Sequence, residues 1–144
     1  MRQKQNQDQL GLMSTDFNSG NTRKGREYEL LVVEDLIDRG YTIIPINKRI
    51  RSIGCSVDYI AEKDGILEYG EAKGGLSAKA NTGARRTDNV KKAIANGALL
   101  KARYPDTKYV VYFSTEPLEN SASELMLNAA IEYNIIDEVR YLEY

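Results

Sequence analysis

VDYIAEKDGILEYGEAK, residues 57–73, reads as a β-hairpin. One arm is 57–62, the turn is Lys63-Asp64-Gly65, and the second arm is 66–73. Asp-Gly between two β-rich runs is a strong local hairpin signal. Side chains alternate faces along a strand, so Glu71 and Lys73 project to one side and Ala72 to the other. If Asp58 points the same way, two carboxylates and one ammonium meet. Burying that set in an apolar sheet is unfavourable unless the charges pair or hold a cation. Two neighbouring carboxylates with open positions beside them make a Mg²⁺ site. From the residues alone, a surface Glu–Lys pair on a half-exposed strand is the competing interpretation.

Composition narrows the chemistry. A chain of 144 residues with 42% hydrophobic content supports one domain with its own core. It contains no histidine and one cysteine, Cys55. Ser-His-Asp and Cys-His catalysis, His-ligated zinc and an internal disulfide are therefore excluded. Cys55 is expected to be a small buried packing residue. No apolar run is long enough to span a membrane, and residues 1–21 lack the apolar segment of a secretory signal. A reducing, cytoplasmic setting is the expectation. The formal net charge is −1, but the charges are segregated. Residues 73–103 carry eight basic side chains against one acidic, and 104–144 carry two basic against eight acidic. A basic middle can meet phosphates with a one-sided field; a solvated helix face explains it equally.

Along the chain, residues 1–21 are rich in Gln, Asn, Ser and Gly and read as a flexible polar tail. A helix follows from 22 or 23 to 39, stopped by Gly40. At 100° per residue its apolar arc holds Leu30, Val32, Val33, Leu36 and Ile37, and Glu29 falls inside that arc. A carboxylate there needs a partner; curling out to water or pairing with Arg26 would satisfy it. Residues 41–47 form a strand, placed at an edge by Pro45. Residues 48–56 link it to the hairpin, with Lys48, Arg49 and Arg51 able to touch a phosphate backbone. After Lys73 comes a long Gly-bearing loop, 74–84, where Lys79 and backbone amides could follow a nucleic-acid strand. A second helix spans 85–104 with Arg85 and Arg86 at its start and small residues Ala93 and Gly97 on its inner stripe. Residues 108–114 form a strand buried on both faces, Ser121 to Glu124 is a capping box opening a helix to 133, and 139–143 is a last strand. The ten tyrosines are scattered and read as core and rim residues.

Asp58, twelve intervening residues, then Glu71-Ala72-Lys73 resembles the D…(D/E)-x-K signature of the PD-(D/E)XK nuclease superfamily, which includes restriction endonucleases and archaeal-type Holliday junction resolvases. Val57 stands where that signature has proline. Gly25-Arg26-Glu27-Tyr28-Glu29 resembles the G-x-x-x-E of the first helix in the resolvase-like members. The resemblance covers about residues 24–113. It implies an α/β, restriction-endonuclease-like fold over 22–144: a central mixed β-sheet flanked by helices in the order α-β-β-β-α-β-α-β. It implies a Mg²⁺- or Mn²⁺-dependent DNA endonuclease, homodimeric, acting on duplex or branched DNA, with no small-molecule cofactor. Asp58, Glu71 and the Ala72 carbonyl would hold the metal, Lys73 would orient the attacking water, and Glu29 would support the ligands or a second metal position. Arg26, Arg49, Arg51, Lys79, Arg85 and Arg86 are the candidate contacts to nucleic acid. The alternative is a catalytically silent nucleic-acid-binding or complex-assembly protein that keeps the fold.

Overall fold

The computed structural model of the chain describes residues 23–45, 49–50, 54–75 and 82–143. The tail over 1–21, Arg51 and Lys79 lie outside them. Among the described residues, the first element is helix α1, Arg23–Asp38. It ends where Gly40 adopts φ +92°, and Tyr41 N–H bonds back to the Leu36 carbonyl at 2.9 Å. That left-handed closure is what glycine permits after a last helical turn.

Strand β1, Thr42–Ile44, pairs antiparallel with β4, Tyr59–Lys63, and lies at the sheet edge, as Pro45 requires. Between them β2, Arg49–Ile50, and β3, Cys55–Ser56, form a separate two-residue ladder in the stretch read as a plain link. Two-residue strands are too short to leave a period-two pattern in the sequence. β4 returns as β5, Ile66–Lys73, through Asp64 and Gly65 at φ 53° and 79°. Two consecutive positive φ values make a type I′ turn, whose twist matches the strands it joins. The turn is thus two residues, with Lys63 already paired to Ile66.

A single 3-10 turn, Gly83–Arg85, precedes helix α2, Thr87–Arg103, so the helix proper starts two residues later than expected. Arg86 is extended, breaking the turn from the helix. Strand β6, Lys108–Phe113, runs parallel to β5; helix α3, Ala122–Glu132, follows; strand β7, Glu138–Tyr141, runs parallel to β6. Ser121 Oγ caps α3 by accepting from Glu124 N–H at 3.2 Å. Glu124 Oε1 accepts in return from Asn120 N–H at 3.1 Å, one residue upstream of the cap.

The result is an α/β architecture on a mixed five-stranded sheet ordered β1-β4-β5-β6-β7. α1 covers one face, packing Tyr28, Val32, Val33 and Leu36 on Tyr59, Ala61, Val110 and Tyr112. α2 and α3 cover the other, packing Val90, Ala93, Leu100, Leu127 and Ala130 on Tyr109, Val111 and Phe113. β6 alternates between the two cores and is buried from Tyr109 to Phe113, as a central parallel strand should be. In β5 the same alternation sends Ala72 toward α1 and Tyr69 toward α2. Glu71 and Lys73 share the Tyr69 side.

Candidate functional site

The hairpin register puts Tyr59 opposite Gly70, and the next position brings Asp58 beside Glu71. β4 begins at Tyr59, so among the described residues β5 runs on toward Lys73 without a strand on that edge. Asp58 fills the place: its N–H donates to the Gly70 carbonyl at 2.9 Å, and its Oδ2 accepts from Ala72 N–H at 2.8 Å. On the opposite edge Lys73 carbonyl accepts from Ser114 N–H at 3.1 Å, continuing the ladder with β6. N–H and C=O of one residue point to the same strand edge, so the Ala72 carbonyl faces the Asp58 side. Asp58, Glu71, Lys73 and that carbonyl are therefore neighbours at the carboxyl end of β5.

Glu71 is 2% exposed. Its Oε1 accepts from Asn96 Nδ2 of α2 at 2.5 Å. Its Oε2 is buried with no hydrogen-bond partner among the described residues, and Lys73 Nζ stands 3.6 Å away. Burial, first, and the Asp58 charge push the carboxyl up to about 7; Lys73, the bond from Asn96 and the nearby Tyr109 hydroxyl pull the other way. The Tyr109 hydroxyl donates to the Ala93 carbonyl at 3.0 Å and lies against Glu71, and burial together with that carboxylate drives it far above the usual phenol range. Cys55 is buried as expected, and burial, then Glu71, push its thiol up. It is an uncharged neighbour of the site, without thiolate character.

Three residues earlier on β5, Glu68 is also fully buried, and its environment is the reverse. Tyr59 OH donates to it at 2.7 Å, Arg140 clasps both oxygens at 2.9 and 3.0 Å, and Lys108 Nζ lies 3.3 Å away. Arg140 Nη1 also donates to Tyr112 OH at 3.1 Å, and Tyr112 OH donates to Asp35 Oδ2 at 2.7 Å. This carboxylate is closed off by fixed charge.

Glu29 is buried on α1, as its place in the apolar arc requires. Among the described residues, no set of three His, Cys, Asp or Glu side chains gathers to hold a metal. α1 covers the sheet face of Ala72, whereas Glu71 points toward α2. The gathered acidic group is the pair Asp58 and Glu71. Arg26, Arg85 and Arg86 are exposed, and Arg49 lies in β2. Asn96 and Tyr109 went unnoticed in the sequence. The signal for Asn96 was a poor helix former set three residues past Ala93 and four before Leu100, at the rim of the apolar stripe.

No helix among the described residues is long and apolar enough to cross a membrane. No family model, curated protein or solved structure matches the chain.

Proposed function

We propose that the chain is a Mg²⁺- or Mn²⁺-dependent DNA endonuclease of the PD-(D/E)XK kind, acting through Asp58, Glu71 and Lys73. The unequal treatment of the two buried carboxylates of β5 carries this reading. Glu68 is neutralised by Arg140 and Lys108; Glu71, with Lys73 Nζ at 3.6 Å, keeps a buried oxygen that has no hydrogen bond among the described residues, beside a second carboxylate. A buried charge left partly uncompensated is costly, and a divalent cation is the group that would relieve it. The oxygen-only donor set of Asp58, Glu71 and the Ala72 carbonyl suits a hard ion. The antiparallel β1-β4-β5 unit followed by α2 and parallel β6 is the core such a nuclease would have, which supports the finer fold assignment.

When bound, the ion supplies charge neutralisation at the phosphoryl oxygens and lowers the pKa of a water. Asp58 and Glu71 bring two negative charges, so the ion and the Lys73 ammonium together leave the site one positive charge for the phosphodiester. Lys73 orients the water and stabilises charge growing on the phosphoryl group. Attack of the water oxygen on phosphorus expels the 3′-oxygen, giving the 5′-phosphate and 3′-hydroxyl ends the family resemblance implies. Arg85, Arg86, Lys91 and Lys92 are exposed around the first half of α2 and offer contacts to the phosphate backbone. A homodimer would present two such sites to two strands of duplex or branched DNA.

A silent nucleic-acid-binding protein is the second reading, favoured by the lack of a third gathered acidic group among the described residues. A panel of supercoiled plasmid, linear duplex, four-way junction, single-stranded DNA and RNA separates the two. The nuclease reading expects at least one DNA form to be cut with Mg²⁺ or Mn²⁺, leaving 5′-phosphates. Tight binding with every substrate left whole supports the silent reading and ends the first.

A further inference from the structure

We infer that Asn96 is a positioning residue of this site, one that aims Glu71 at the cation without spending the carboxylate's charge. The inference rests on the reading of Asp58 and Glu71 as cation ligands.

Asn96 lies in the middle of α2, where asparagine is a poorer helix former than alanine. Its amide does not turn back on its own helix; it crosses to β5 and donates to Glu71 Oε1. Seven residues earlier on the same helix face, Asn89 Nδ2 donates to the Gly83 carbonyl at 3.1 Å. α2 thus carries an edge of amide donors facing the carboxyl ends of β5 and β6, one on the approaching loop and one on the carboxylate.

The consequence for Glu71 is geometric. The terminal torsion of a glutamate is broad and nearly two-fold, so an untethered carboxylate samples many orientations. The Asn96 bond occupies Oε1 and leaves Oε2, buried and without a hydrogen bond among the described residues, on the side of Lys73. The donor's neutrality matters as much as its position. Glu68 is held by a guanidinium, and that pairing leaves no charge for a second cation. An amide fixes the orientation of Glu71 and preserves its full negative charge. Supporting bonds of this kind around a metal ligand are typically worth a factor of 10–100 in metal affinity.

The test is Mn²⁺ binding to the full chain, read from the electron paramagnetic resonance signal of free Mn²⁺, for wild type, Asn96→Leu and Asn96→Ser. Leucine keeps the volume and removes the donor; serine is the second variant if leucine impairs folding, which a circular-dichroism melt reports. The expected result is a Mn²⁺ Kd raised about tenfold or more in a folded variant. The Mn²⁺ concentration for half-maximal cleavage rises in parallel. Mn²⁺ affinity within twofold of wild type in a folded variant overturns the role of Asn96 alone. Absence of Mn²⁺ binding by the wild-type chain overturns this inference together with the cation site beneath it.

Discussion

Glu71 and Glu68 sit three residues apart on one strand, both out of water, and differ in what surrounds them. The guanidinium on Glu68 is a permanent, bidentate partner. Glu71 accepts its hydrogen bond from a neutral amide, with Lys73 Nζ at 3.6 Å; burial, joined by the Asp58 charge, outweighs that ammonium, so its carboxyl is pushed up to about 7. An unfolded glutamate titrates near 4.5. The native state therefore holds a proton that the unfolded state has released between about pH 4.5 and 7. This contribution to stability is complete below the unfolded value and is lost as pH rises through about 7. Glu71→Gln removes the buried charge. At pH 8 without divalent cation it should be more stable than wild type by about 3 kcal/mol, the free-energy equivalent of that shift, and the gain should vanish by pH 4. Urea unfolding at the two pH values checks this. Added Mn²⁺ should stabilise wild type and leave Glu71→Gln little changed.

At the scale of elements, α2 lies close to the sheet because Gly97 has no side chain. A Cβ there would fall 2.7 Å from both the Ile135 carbonyl oxygen and the Tyr109 ring. Gly97→Ala improves helix propensity by about 1 kcal/mol, whereas overpacking costs about 1–3 kcal/mol. Its melting temperature should fall, and because Tyr109 rests on Glu71, Mn²⁺ affinity should fall with it. Calorimetry and a Mn²⁺ titration measure both. The elements themselves were largely legible in the sequence. Asp64-Gly65 marked the hairpin, the apolar arc of α1 had Glu29 in it, and 108–114 read as a strand buried on both faces. Each of those signals is local and periodic. The β2–β3 ladder was missed because two residues carry no period. The grip of Asn96 on Glu71 was missed because nothing in either segment specifies the other across 25 residues. Placing Asp58 beside Glu71 needed only the hairpin register. The place of Glu29 relative to them depends on the packing of α1, which the sequence does not encode locally.

For the whole molecule, Arg140 is the widest tie. From β7 it reaches Glu68 on β5, Tyr112 on β6 and Tyr41 just before β1, and Tyr112 passes the connection to Asp35 on α1. Arg140→Ala would leave Glu68 buried with a much reduced counter-charge, and removing one partner of such a pair costs about 3–5 kcal/mol. Its denaturant midpoint should drop accordingly, while Glu68→Gln combined with Arg140→Met should recover much of the loss. This scaffold stands on the α1 face, and the proposed chemistry stands on the α2 face at the carboxyl end of β5. The two can therefore be perturbed separately, which makes variants of the site interpretable. The decisive measurement is nicking of supercoiled plasmid in Mn²⁺ by wild type, Asp58→Ala, Glu71→Gln and Lys73→Ala, each shown to be folded. Cutting by wild type, with loss of at least about a hundredfold in all three variants, is the predicted result. Equal cutting by the variants, or none by wild type on any DNA form, would contradict it.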